Sequence, residues 1–304
     1  MHADRWHILG AGAIGSLCTA ALLDAGQAAT LVLRDETALA RWQASGGLHW
    51  TSLAGERRFL TPQAETASQQ DTIRALLLCT KAYDAREALG AVVERLAPGS
   101  PVVLLVNGLG VREELLAHWP GLDIFPATTT EGALRLAPFD VKHTGTGTTL
   151  FGQSGTREAP PWFEAWQAGA LAASWSADID AALWQKLAIN CAINPLTALH
   201  RCPNGELATP ALAEQVRALC KEIATILSAL SYKALADHLE AAVFDVIRGT
   251  AANRSSMLQD LEAGRRTEVD YITGHLVSQA AVLGLKLPHN EALLAEVRAL
   301  EPAR

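Results

Sequence analysis

The stretch Trp6–Gly26, WHILGAGAIGSLCTAALLDAG, decides the fold of the first half of the chain. It reads as a short buried strand, WHIL, then a glycine turn, GAGAIG, then an apolar helix, SLCTAALLDAG, that stops at Gly26. The spacing Gly10-Ala11-Gly12-Ala13-Ile14-Gly15 is that of a dinucleotide-binding turn. Gly10 suits the tight bend, Gly12 the close approach of backbone to a pyrophosphate, and Gly15 the packing of helix on strand. The amino end of the following helix then faces the anion. A glycine triplet alone is a weak signal, and the strand before it and the helix after it make it a strong one. The same glycines interrupt the apolar run and no small-residue cleavage site follows, so a secretion leader is not expected.

The second strand, ATLVLR, ends at Arg34 with Asp35 beside it. In this type of fold the strand end meets the adenosine ribose, where a carboxylate accepts the 2′-hydroxyl of NAD and a guanidinium grips the 2′-phosphate of NADP. The two residues pull in opposite directions, and Arg34 favours NADP; the plainer alternative is a surface arginine followed by a turn. Residues 48 to 61 read as a hairpin around Ala54 and Gly55. A buried strand, RALLLCT, leads to Lys81, placed beyond a strand end where ligands sit in parallel sheets. A helix is predicted from Asp84 to Leu96. The strand in PVVLLVNGLG is ended by Asn107 and Gly108, either a simple turn or an amide aimed into a crevice. From Asp123 to Trp175 the chain is Thr- and Gly-rich and strand-like, the expected far edge of the sheet.

After Ala177 the pattern changes to long apolar-periodic segments, with helices predicted over 178–194, 209–230, 234–249, 252–263, 268–284 and 289–300. The predicted architecture is an α/β Rossmann-type N-terminal domain over 1–177, followed by an all-α C-terminal domain over 178–304. Bulk composition agrees: 304 residues, 49% hydrophobic and 19% charged, fill two ordinary cores. A net charge of -7 with scattered Lys and Arg offers no basic stripe, which argues against a nucleic-acid partner or an anionic membrane surface. Five cysteines, odd in number and dispersed, fit reduced thiols in a cytoplasmic protein. They form no CxxC, and no histidines pair as HxH or HxxxH, so a metal site is not expected. No run is long and apolar enough to span a membrane.

The chemistry concentrates between Trp184 and Leu207, WQKLAINCAINPLTALHRCPNGEL. Lys186, Asn190 and Asn194 are spaced four apart and fall within about 80° of helix arc, while apolar residues and Gln185 occupy the rest. A helix apolar nearly all round is buried, so its polar stripe faces an internal cleft where an ammonium has a tunable pKa. The alternative is a solvated lysine whose stem covers apolar neighbours. Pro195 disfavours helical geometry at Asn194, which predicts that the helix ends there. Pro203-Asn204-Gly205 reads as a turn.

Several segments together resemble one family. LWQKLAINCAINPLTAL followed by CPNGEL, NRSSMLQDLEAGRRTEVDYITG over residues 253–274, and the NGLG loop are similar to motifs of the ketopantoate reductases, as is the glycine turn. The resemblance implies NADPH-dependent reduction of 2-dehydropantoate to (R)-pantoate, a step of pantothenate and coenzyme A synthesis. It implies Lys186 as the catalytic lysine and Glu268 as its partner carboxylate. It further implies Asn190, Asn194, Asn253 and Ser256 as substrate contacts, Arg34 and Lys81 as cofactor contacts, and Asn107 between cofactor and substrate. Two departures are Pro126-Ala127 ahead of the threonine run, where many relatives carry glycine, and Asp35 beside Arg34.

The chemistry fits the residues independently. Hydride delivered to a ketone carbon leaves an alkoxide, which needs a proton donor or fixed positive charge, and a protonated Lys186 supplies both. Glu268 can stabilise the ammonium or bind a substrate hydroxyl. Asn and Ser donors can hold the carboxylate of a small 2-keto acid without adding charge. Structural readings compete: Ser256 with Gln259 forms a capping box, and Glu268 after Thr267 favours a helix start. Two other functions share these features, reduction of a different branched 2-keto acid and a non-catalytic NADP(H) sensor.

Overall fold

The computed structural model describes residues 5–169 and 171–302. The chain divides into two compact units, one formed by residues 1–106 and 111–180, the other by 107–110 and 181–304. The NGLG segment, read from the sequence as part of the first domain, thus belongs with the second unit.

In the first unit, β1 (Arg5–Leu9), α1 (Ala13–Asp24) and β2 (Ala28–Leu33) realise the opening stretch. They are followed by α2 (Glu36–Ser45), β3 (Leu48–Thr51), β4 (Arg57–Leu60), β5 (Gln63–Thr66), β6 (Leu76–Leu78), α3 (Ala85–Gly90), β7 (Pro101–Leu104) and α4 (Val111–His118). Then come β8 (Asp123–Thr129), β9 (Gly132–Ala137), β10 (Asp140–Gly145), β11 (Thr149–Gly152), α5 (Glu164–Gln167) and β12 (Ala173–Ser176). The main sheet has the order β12-β11-β8-β7-β6-β1-β2-β5. The six strands from β8 to β5 in that order run parallel, and β11 turns antiparallel against β8. Covered on both faces, β6 and β7 read as unbroken apolar runs, as buried parallel strands do. Trp6 on β1 is fully buried and packs edge-on against Trp162 and Trp166, with ring centroids 5.7 and 5.0 Å away.

Two expectations for this unit are corrected. The strand-like text from 123 to 175 is not all sheet edge. β8, β11 and β12 are, but β9 and β10 join the hairpin β3–β4 in a separate four-stranded sheet, β4-β3-β10-β9, that lies against α1. The helix predicted from Asp84 to Leu96 is broken: α3 ends at Gly90, and Leu96 leaves to pair with Ile73 in a parallel bridge. Gly90 and the β-branched pair Val92-Val93 hold the helix too weakly to resist that pairing.

The second unit is helical: α6 (Ile179–His200), α7 (Pro210–Ala229), α8 (Lys233–Gly249), α9 (Ser256–Glu262), α10 (Thr273–Val282) and α11 (Pro288–Leu300), with α6 beginning at the border of the first unit. The buried face of α7 (Val216, Leu219, Cys220, Ile223 and Leu227) meets Leu239, Val243 and Ile247 of α8 and the apolar side of α6 in one core. Here α6 corrects the sequence reading, because it runs through Pro195 to His200. A mid-helix proline forfeits one hydrogen bond and costs about 3 kcal/mol. Leu196, Thr197 and Ala198, all buried, anchor the turn beyond it in the core.

The cap of α9 is also one residue earlier than predicted. Ser255, not Ser256, accepts the amide of Leu258 at 3.1 Å, and the same hydroxyl accepts from Thr197 Oγ1 at 2.7 Å, tying the 253–256 segment to α6. We therefore expect Ser255→Ala to destabilise the second unit by about 1–2 kcal/mol. Ser256→Ala should stay within about 0.5 kcal/mol of wild type, as for an exposed surface change. Urea unfolding of the two variants checks this, and equal losses would contradict the assignment.

Candidate active site

The glycine turn has the geometry of a phosphate cradle. Gly10 adopts φ +118°, a conformation that L side chains avoid, and a Cβ there would come within 2.8 Å of the Cys79 backbone. A Cβ on Gly15 would overlap the Gly10 carbonyl oxygen, so α1 lies as close to β1 as backbone allows. Gly12 is the opposite case: a Cβ there meets nothing within 4 Å, which leaves open space at the amino end of α1. Ala11, Ala13 and Ile14 are half-buried around it. The turn therefore fits a dinucleotide pyrophosphate, held by backbone N–H groups and the helix dipole.

Arg34 follows β2 and is largely exposed, with its Nη2 3.0 Å from Asp84 Oδ2. Asp35 caps α2, its Oδ1 accepting the Ala38 amide at 2.7 Å. This carboxylate thus has a structural duty. Lys81 is half-buried in the turn after β6, and its carbonyl accepts the Asp84 amide at 3.0 Å.

In the second unit, Lys186, Asn190 and Asn194 share one face of α6, since the helix continues past Pro195. Lys186 and Asn190 are half-buried and Asn194 is buried. Glu268 is buried in the bend before α10 and supplies the charge that faces Lys186. That helix begins at Thr273, so the alternative of Glu268 as a helix-start residue is excluded. Burial lowers the Lys186 ammonium from its ordinary value of 10.5 to about 8, while the Glu268 carboxylate pulls it back up. At that value the side chain is a proton donor that also titrates within reach of neutral pH.

Asn107 completes the group, its Nδ2 donating to Glu268 Oε2 at 3.4 Å, a long bond. The NGLG segment is fixed there by Leu109, whose amide donates to the Tyr271 carbonyl at 2.9 Å. Gly108, at φ +88°, has no room for a Cβ against the same carbonyl oxygen. Lys186, Glu268 and Asn107 are thus brought together. Asn253 and Ser256 are exposed on the segment that Ser255 and Thr197 tie to α6 just past Asn194. The Pro203-Asn204-Gly205 turn supports that segment. Asn204 Nδ2 donates to Thr250 Oγ1 at 2.9 Å, and its amide to the Asn253 carbonyl at 2.9 Å.

The sequence did not mark Asp84 as the partner of Arg34 or Ser255 as the cap. The capping-box spacing of Ser256 with Gln259 points to the neighbouring serine, and nothing local links Asp84 to a residue fifty positions away. Among the described residues no group of three or more His, Cys, Asp or Glu stands ready for a metal ion, and no helix is long and apolar enough to cross a membrane. All five cysteines are free and buried, and burial pushes the Cys79 and Cys191 thiols up to about 12, which leaves them poor nucleophiles.

A cradle for a dinucleotide and a titratable lysine beside a carboxylate define an oxidoreductase acting on a carbonyl. The comparisons with known proteins make this particular. Residues 6–155 match the ketopantoate reductase PanE/ApbA model and residues 178–301 its C-terminal counterpart, so the chain belongs to the ketopantoate reductase family. The 2-dehydropantoate 2-reductase of Vibrio cholerae is 34% identical over 299 residues, 97% of each chain. A probable 2-dehydropantoate 2-reductase from Bacillus subtilis superposes with a TM-score of 0.80 at 29% identity, covering 98% of this chain and all of that one. The fold also extends to a D-mandelate dehydrogenase solved with NADH and anilino(oxo)acetate, at TM-score 0.89 and 21% identity over 97% of this chain and 98% of that one.

The glycine geometry yields a paired expectation. Gly15→Ala should destabilise the first unit by about 1–3 kcal/mol through backbone overlap. Gly12→Ala should leave stability near wild type yet weaken dinucleotide binding about tenfold, the worth of one charge-assisted hydrogen bond. Thermal unfolding and a fluorescence titration with NADPH separate the two; a Gly12→Ala protein that binds normally would contradict the cradle.

Proposed function

We propose that the chain reduces 2-dehydropantoate to (R)-pantoate with NADPH, with Lys186 as general acid. The observation that carries this reading is the ammonium of Lys186, lowered to about 8 by burial and facing Glu268. The family membership and the Vibrio cholerae relative named for this reaction support it.

A bound dihydronicotinamide supplies the hydride to the ketone carbon. The residues of the chain do the rest. As the carbonyl π electrons move onto oxygen, Lys186 Nζ donates a hydrogen bond that strengthens with the developing charge and then releases its proton, giving the alcohol and a neutral amine. Bulk solvent reprotonates the amine. Glu268 keeps the ammonium protonated at neutral pH, because its carboxylate raises a pKa that burial alone would lower further. Asn107 holds the Glu268 carboxylate. Asn190 and Asn194 on the polar stripe of α6, with Asn253 and Ser256 on the adjoining segment, orient the substrate through neutral donors. Gly10 to Gly15 cradle the pyrophosphate, and Arg34 and Lys81 bind the adenosine side of NADPH.

Lys186→Ala is expected to lower kcat by about 10²–10⁴ with the Kd for NADPH little changed; near-normal turnover would overturn the assignment. The pH profile carries a sign. Turnover by wild type should fall as pH rises through about 8, where Lys186 loses its proton. Glu268→Gln removes the charge that raises this pKa, so the alkaline limb must move to lower pH, and a shift to higher pH would refute the role given to Glu268. Comparing kcat/KM for 2-dehydropantoate with other branched 2-keto acids tests the substrate. Tight NADPH binding with no oxidation by any 2-keto acid would turn the reading to a sensor.

A further inference from the structure

Arg34 and Asp84 lie in the first unit on opposite sides of β1. Arg34 follows β2 and Asp84 follows the turn after β6, and the sheet order β6-β1-β2 puts the carboxyl end of β1 between them. Two inter-strand spacings, about 10 Å, separate β2 from β6, and the 3.0 Å contact between the two side chains closes that gap. The ion pair therefore spans the end of the strand from which the turn Gly10–Gly15 leaves. In doubly wound folds this is where the adenosine half of a dinucleotide sits, between the ends of the strands flanking the first.

The acidic group normally used against the ribose is not available here. Asp35, next to Arg34, is committed to the N-cap of α2. Asp84 is partly exposed, with one-third of its side chain accessible, and brings a different carboxylate to the same place from another loop. The contact is a single one on a side chain that is 76% exposed in Arg34. Such pairs shift an equilibrium by no more than about fivefold. A phosphate dianion offers the guanidinium a forked, charge-assisted contact that is stronger, but it must first take Arg34 from Asp84 and sit near the carboxylate's negative charge.

We propose that Asp84 is a cofactor-selectivity residue. It holds Arg34 in an ion pair across the adenosine subsite that a 2′-phosphate must displace, and so it reduces the preference for NADPH over NADH. This rests on the reading of Arg34 as the ligand of the 2′-phosphate. A ribose bearing a 2′-hydroxyl has no such competition to win, and its hydroxyl can donate to the Asp84 carboxylate.

The test is direct binding of two adenosine fragments, 2′,5′-ADP and 5′-ADP, and of NADPH and NADH, to wild type, Asp84→Asn and Arg34→Gln at low ionic strength. Both positions are exposed enough that folding is not at stake. Asp84→Asn should tighten 2′,5′-ADP and NADPH by about three- to fivefold with no gain for 5′-ADP or NADH, and adding salt should shrink the difference. An unchanged ratio would make Asp84 a bystander, and a fall in the ratio would make it a residue that aims Arg34 at the phosphate; either overturns the proposal. Arg34→Gln tells this apart from failure of the parent reading. If Arg34→Gln abolishes the preference for 2′,5′-ADP while Asp84→Asn changes nothing, only the selectivity proposal falls. If Arg34→Gln retains that preference, the assignment of Arg34 falls and the proposal with it.

Discussion

Two electrostatic effects of opposite sign meet on Lys186. Placing an ammonium on an otherwise apolar helix removes water that stabilises its charge, which favours the neutral amine. The Glu268 carboxylate restores part of that stabilisation, and the balance leaves the group near 8 rather than 10.5. Neither effect alone gives a useful acid. An exposed lysine holds its proton too firmly, and a buried lysine without a counter-charge gives it up before substrate arrives. In the proposed reaction the structure around Glu268 is therefore part of the acid. The carboxylate lies in a bend whose carbonyl accepts the amides of Tyr271 and Ile272, each at 3.0 Å, so its backbone is fixed from its own side of the chain.

The NGLG segment couples the two units through covalent continuity. β7 ends at Leu104 and residues 105–106 stay in the first unit, whereas 107–110 belong to the second. Backbone contacts hold them there: the Leu109 amide reaches the Tyr271 carbonyl, and Gly108 allows the approach that any Cβ would block. Asn107 is delivered to Glu268 as a result. Its amide donates to a carboxylate oxygen without altering charge, which orients Glu268 and leaves its field on Lys186 largely intact.

The features legible in the sequence were those set by local repetition. The glycine turn is a contiguous code, with Gly10 at φ +118° and Gly15 packed on the Gly10 carbonyl. The stripe Lys186-Asn190-Asn194 follows from helical periodicity. What escaped depends on contacts between distant segments. Pro195 argued locally for a helix end, and burial of the following turn decided otherwise. The pairing of β3 with β10 is parallel and joins residues some ninety apart (His49 to Asp140), with no turn signal to announce it. The Arg34–Asp84 pair is equally non-local, and so is the bond from Thr197 that favours Ser255 over Ser256 as a cap.

The neutrality of the polar stripe has a reason in the same balance. A 2-keto acid carries a carboxylate, and an arginine at Asn190 or Asn194 would bind it more strongly than an amide does. Such a cation on the same face as Lys186 would disfavour a second positive charge and lower the lysine further below 8, so that less of it would be protonated at neutral pH. In the proposed reaction amide donors would avoid this, holding the carboxylate and leaving the proton on Lys186. The substrate's own negative charge then acts in the same direction as Glu268, raising the pKa as the anion docks. In the proposed reaction binding would thus load the acid, and hydride transfer, which converts the carbonyl oxygen to a far stronger base, would unload it.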